Sequence, residues 1–341
     1  MKYCKLGKTG LTVSRLCLGM MTYGSPAWRP WVLDESNARP VVQHAIEQGI
    51  NFFDTADMYS AGESEVLTGR FIREFYRREE AVIATKIFHP VDLAFKGGAS
   101  GATKPERRPN MDGLSRKRIF HAVDASLARL GTDYIDLLQI HRLDHDTPMD
   151  EIMEALHDIV KSGKARYIGA SSMRAWEFAK MQQIAKERGF VRFSSMQNHY
   201  NLVYREEERE MIPLCQDQGV ALIPWSPLAR GFLAGNRSAA DKESGKTARA
   251  RTDDIAQKYY YRPGDFHVVE ALTKVATARG AMLASVAYAW LWHKGVTAPI
   301  VGASKTWQLD QAVAASGLAL TPQELHALEA AYEPHPVIGH V

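Results

Sequence analysis

Eight short apolar runs recur along the chain: RLCLGM (15–20), INFFDTA (50–56), AVIATK (81–86), YIDLLQI (134–140), ARYIGAS (165–171), FSSMQNH (193–199), VALIPWS (220–226) and APIVGAS (298–304). Most are rich in β-formers, and helix-period segments separate them, which is the rhythm of parallel βα units. The helical segments carry their own boundaries. Ser115 can cap a helix whose Ile119, Val123, Leu127 and Leu130 share a face, with Gly131 where a left-handed residue would end it. In the next segment Thr147 is placed at the cap and Pro148 at the first helical position, Ile152, Leu156 and Ile159 face the sheet, and Gly163 closes the helix. Thr321, Pro322 and Glu324 form a capping box that predicts an extra C-terminal helix. The opening KYCKLGKTGLTVS (2–14) predicts a hairpin turning at Thr9 and Gly10, suited to plug the bottom of a barrel.

No composition break or flexible linker divides these units, so the pattern predicts one domain over 1–341, a (β/α)8 TIM barrel. An open doubly wound sheet would announce its nucleotide site with GxGxxG after the first strand, and LCLGMMTYGS lacks that spacing. Two connections are long, 88–115 after the third run and 229–265 after the seventh. Both would leave the C-terminal ends of barrel strands, where barrel enzymes build their sites.

Composition narrows the class. At 341 residues, 45% hydrophobic and 24% charged, the chain has the balance of a globular protein. A net charge of +3 gives no argument for nucleic acid or an anionic membrane as partner. The most apolar late stretch, AMLASVAYAWLW (281–292), is too short to cross a bilayer and reads as a buried helix. Cys4, Cys17 and Cys215 lie far apart with no CxxC pair, and MKYCKLGKTG has no apolar h-region, so reduced thiols in the cytoplasm are expected. Neither HxH after the first run nor HExxH occurs, which disfavours a metal-dependent hydrolase, and no metal is expected.

Polar residues interrupt or follow the second, third and fourth runs. Asp54 lies near the end of the second, Tyr59 follows five residues on, Lys86 ends the third and His141 follows the fourth. Adjacent staves would gather all of these around one cavity. A tyrosine, with an ordinary pKa near ~10, is a reluctant acid at neutral pH. A neighbouring ammonium lowers that pKa by stabilising the phenolate, and a carboxylate keeps a buried ammonium charged. Tyr59 is thus the candidate acid, Lys86 the ammonium, Asp54 its counter-ion, and His141 the group that orients a carbonyl oxygen.

The block DTADMYSAGESEVLTGR, the ATK at 84–86 and the QIH at 139–141, together with SPLARG and IVGASKTWQLDQ, resemble the aldo-keto reductases over essentially the whole chain. GKARYIGASSM, YREEEREM and the C-terminal tail look most similar to a bacterial branch of broad aldehyde and ketone reductases. The resemblance implies reversible reduction of small-molecule aldehydes or ketones with NADPH, NADH being less favoured, and an aromatic and apolar lining would suit bulky, weakly polar carbonyls. It places Gly19 and Met20 near the nicotinamide ribose and Ser171, Ser172 and Gln197, beside Asp54, at the carboxamide. Trp225 would stack on the nicotinamide ring, and Ser226, Leu228 and Gly231 would follow the pyrophosphate. Gly302, Ser304, Lys305, Gln308 and Gln311 would hold the adenosine end, with Ser304 and Lys305 meeting a 2'-phosphate at free backbone amides. Substrate contacts are expected from Met21, Tyr23, Trp28 and Phe88.

Arg237, Lys242, Lys246, Arg249 and Arg251 alternate with Asp241, Glu243 and Asp253, which reads as a solvated loop in preference to a cofactor clamp. A slow NADPH-binding sensor subunit is the alternative function. The oligomeric state stays open.

Overall fold

A computed structural model describes residues 1–91, 108–238 and 245–340 of the chain. Most of the first long connection, and Asp241, Lys242 and Glu243 of the second, lie outside the described residues. The hairpin is present: β1 (Tyr3–Lys5) runs antiparallel to β2 (Thr12–Ser14). Eight parallel strands follow: β3 (Cys17–Gly19), β4 (Phe52–Asp54), β5 (Val82–Ile87), β6 (Ile135–Ile140), β7 (Ala165–Ser171), β8 (Phe193–Gln197), β9 (Ala221–Leu222) and β10 (Ile300–Val301). Neighbours in sequence are neighbours in space, and β10 pairs with β3. Thr297 N donates to Leu222 O at 2.9 Å and Ile300 N to Pro224 O at 3.0 Å, joining the last two staves and closing a (β/α)8 barrel. Regular strand in the seventh run covers only Ala221–Leu222, although Ile223 N and Trp225 N still donate to Met196 O and Asn198 O at 3.0 and 2.8 Å.

The helices are α1 (Glu35–Glu47), α2 (Glu63–Phe75), α3 (Arg116–Leu130), α4 (Met149–Lys161), α5 (Ala175–Arg188), α6 (Met211–Gln218), α7 (Ala248–Thr252), α8 (Asp254–Tyr259), α9 (Pro263–Arg279), α10 (Leu283–His293), α11 (Thr306–Ala315) and α12 (Pro322–Glu329). Ser115 caps α3 through Arg118 N, and Gly131 ends it at φ 62°. The start of α4 is one residue later than the sequence suggests. Pro148 occupies the cap, and the Thr147 hydroxyl bonds Asp144 at 2.7 Å instead of the helix. The extra helix α12 has the expected Thr321–Glu324 capping box. The stretch 281–292 contributes to α10, whose Trp290 and Leu291 are fully buried. Among the described residues no helix is long and apolar enough to cross a membrane.

Strand alternation sorts the core into two layers. Leu18, Phe53, Ile83, Leu138, Ile168 and Met196 face outward and pack under the helices. Cys17, Phe52, Val82, Ala84 and Leu137 face inward and join Leu6 and Val13 of the hairpin, so the bottom of the barrel is dry and plugged. Further along the same strands the inward positions turn polar, and the site begins there.

Candidate active site

The strand register brings the predicted residues together. Asp54 pairs with Ala84 on β5, and Lys86, two residues on, pairs with Gln139 on β6, so period-2 alternation points Asp54, Lys86 and Gln139 into the upper barrel. Lys86 is fully buried; its Nζ donates to Asp54 Oδ2 at 2.5 Å and to Thr55 O at 2.7 Å. Asp54 Oδ1 accepts from Gln139 Nε2 and Gln197 Nε2, both at 2.9 Å. Lys86 Nζ also lies 4.9 Å from the centre of the Tyr59 ring. Tyr59 follows β4 through a tight turn, with Ser60, Ala61 and Gly62 at φ 49°, 53° and 98°. Consecutive left-handed residues of this kind are unfavourable outside glycine, and they hold the phenol against the cavity.

The electrostatics sharpen the roles. Burial opposes the Lys86 charge, yet Asp54 and the Tyr59 phenol together hold its pKa above the ordinary lysine value. Burial raises the Tyr59 pKa, Lys86 pulls it back, and the net is upward. The expected net lowering is therefore corrected: desolvation outweighs the ammonium. His141 meets Tyr59 edge to face at 5.8 Å. Burial, then the neighbouring His89, Lys86 and Arg142, hold its pKa well below the usual histidine range, so the ring is neutral at pH 7, and its buried Nδ1 has no hydrogen-bond partner.

A cavity of about 910 Å³ runs from this cluster across the barrel mouth to α11. It is lined by Asp54, Tyr59 and His141, by Gly19, Ser171, Gln197, Trp225, Ser226, Leu228 and Gly231, and at its far end by Gly302, Ser304, Lys305, Gln308 and Gln311. One face of Trp225 stacks on His199 at 4.1 Å and 10°, and its Nε1 donates to Ser172 Oγ at 3.0 Å. Several expected contacts fall elsewhere. Ser172 is fully buried and supports the Trp225 indole rather than lining the cavity. Met20 and Tyr23 are core residues, the Tyr23 hydroxyl donating to Ala303 O at 2.9 Å. Phe88 packs against the outer core, leaving its neighbour His89 to line the cavity. Met21 and Trp28 do line it. The Ser304 and Lys305 amides are not free, since Gln308 Oε1 accepts from both, at 2.8 and 3.1 Å.

The second long connection is more structured than a solvated loop. It holds α7 and α8, and Asp253 is buried between Arg230 Nε at 2.5 Å and Arg249 Nε at 3.0 Å. Arg249 lies 4.2 Å above the Trp31 ring, and Arg29 pairs with Asp254 at 2.9 Å, so this segment clasps the loop after β3 across the cavity. Sequence reasoning missed Gln139, His89, Arg142, Trp31 and Arg230. Alternation within YIDLLQI could have found Gln139, but only the folded chain brings the others to the cavity.

The cavity fits a nicotinamide dinucleotide. Arg230 keeps a buried Nη2 without a partner beside Gly231, where a diphosphate would neutralise it. A Cβ on Gly302 would lie 2.9 Å from Thr22 Oγ1, narrowing the groove. Among the described residues no group of three His, Cys, Asp or Glu is suited to a metal ion.

Residues 15–333 match the aldo/keto reductase family. The chain is 46% identical to versiconal hemiacetal acetate reductase of Aspergillus parasiticus, over 99% of this chain and 98% of the relative. It is 45% identical to a putative aryl-alcohol dehydrogenase of Schizosaccharomyces pombe, over 99% and 98% of the two chains. A putative aryl-alcohol dehydrogenase of Saccharomyces cerevisiae is 42% identical over 98% and 97%. These relatives are fungal and lend no support to the bacterial branch that the motifs suggested. The protein is an oxidoreductase, and its chain belongs to the aldo/keto reductase family.

Proposed function

We propose that this protein is an NADPH-dependent reductase of aldehydes or ketones, acting reversibly as a single barrel domain, with Tyr59 as the general acid. The observation that carries the proposal is the buried contact of Lys86 with both Asp54 and the Tyr59 ring. A bound nicotinamide supplies the hydride. His141, neutral, offers a hydrogen bond to the carbonyl oxygen and sets it against Tyr59. Tyr59 gives its proton to that oxygen as negative charge grows there, and Lys86 stabilises the phenolate left behind. Asp54 keeps Lys86 charged through the cycle, and Gln139 and Gln197 keep Asp54 in place. In alcohol oxidation the same groups act in reverse.

Trp225 would cover the nicotinamide ring and Arg230 the diphosphate, while Lys305 and Ser304 would take the 2'-phosphate that separates NADPH from NADH. The separate, unpaired thiols of Cys4, Cys17 and Cys215 suit the reducing cytoplasm. The test is Tyr59→Phe, assayed by loss of nicotinamide absorbance with a panel of aldehydes and ketones. The expected result is a fall in kcat of roughly 10²- to 10⁴-fold with NADPH affinity retained. Unchanged turnover would remove Tyr59 from its role.

A further inference from the structure

Four arginines line the cavity: Arg29, Arg142, Arg230 and Arg249. Three have carboxylate partners, Arg29 with Asp254 and both Arg230 and Arg249 with Asp253. Arg142 has none among the described residues. It directly follows His141 at the end of β6, and its Nη1 donates to the His141 carbonyl at 2.5 Å, which fixes the guanidinium at the catalytic end. Burial works against its charge and pulls its pKa below the ordinary arginine value, opposed by the Tyr59 and Tyr259 phenols. The nearby Lys86 does not need a second anion, since Asp54 already balances it. One positive charge beside His141, Tyr59 and Tyr259 is therefore without a carboxylate, in a cavity whose lining also includes the apolar Met21, Trp28 and Met58. A guanidinium held in such surroundings with its fork open is a receptor for a carboxylate.

We propose that Arg142 anchors a carboxylate on the carbonyl substrate, so that the site selects aldehydes or ketones that also carry an anionic group. The reacting carbonyl rests on the reductase reading above; the anionic group rests on Arg142 alone. The apolar walls favour an aromatic or other flat body between the two ends.

The experiment compares the three formylbenzoate isomers with their methyl esters, using wild type, Arg142→Met and Arg142→Lys. For at least one isomer the wild type is expected to show a kcat/KM about ten- to a hundred-fold higher for the acid than for its ester, the range of a charge-assisted hydrogen bond. That ratio collapses toward unity in Arg142→Met and is partly kept in Arg142→Lys. A wild type that treats acid and ester alike for every isomer, or a preference that survives Arg142→Met, overturns the proposal. A second readout needs no turnover: benzoate and benzamide are titrated against cavity tryptophan fluorescence. Tighter benzoate binding that Arg142→Met abolishes upholds the anchor even if no aldehyde is reduced, in which case the reductase reading alone fails. Equal binding of the two overturns the anchor.

Discussion

Lys86 keeps its charge in a fully buried position because Asp54 and the Tyr59 phenol offset the cost of burial, while its Nζ donates to Asp54 and to the Thr55 carbonyl. For the phenol beside it, burial outweighs the pull of Lys86 and leaves Tyr59 above its ordinary pKa. The sign follows directly. An acid must hold its proton to act, so carbonyl reduction should stay level through neutral pH and fall only as pH rises past about 10, the ordinary tyrosine value. A kcat profile for reduction checks this, and a decline beginning near pH 7 would point to a different proton donor. At the other end of the cavity, Lys305→Met should weaken NADPH about ten-fold and NADH little, read by cofactor fluorescence titration. Equal losses would place the 2'-phosphate elsewhere, with Arg249 the next group along the cavity. Residues such as Asp54, Lys86 and His141 were legible in sequence because polar side chains within or beside apolar runs stand out. Tyr23 and Phe88 misled, because exposure in a loop cannot be told from burial without the fold. The reverse holds for Arg142, whose meaning is its missing partner.

Among the elements, α2 and α3 show how close the helical shell is drawn. Gly69 on α2 faces the last turn of α3, and a Cβ there would sit 1.8 Å from Leu130 O. Backbone cannot move aside as a side-chain tip can, so Gly69→Ala should cost about 1–3 kcal/mol, visible as a lower urea midpoint. An unchanged midpoint would mean that the helices have room to separate. The strands were legible from their apolar runs, and the capping boxes located helix ends to within a residue or so. The stretch 229–265 was not, because its helices are short and held by tertiary ion pairs. Mixed charge there looked like solvation, whereas Asp253 is buried between two arginines. Local sequence reports composition, and only contacts across the barrel mouth reveal which charges pair.

At the level of the whole molecule, the barrel interior divides into a dry lower half and a polar upper half. Leu6 and Val13 of the hairpin complete the lower half, in the layer of Phe52 and Ala84 below Asp54 and Lys86. Leu6→Ala should therefore lower stability by about 2–5 kcal/mol while kcat at low temperature holds, compared through thermal melts and steady-state rates. A parallel loss of kcat would show that the plug also shapes the site. The hairpin has one further consequence. With the lower end stoppered, traffic of small molecules is confined to the opposite rim, and a lineage can alter the rim's loops to suit new substrates while the stopper maintains heat tolerance, so drift in selectivity and drift in robustness proceed on separate tracks.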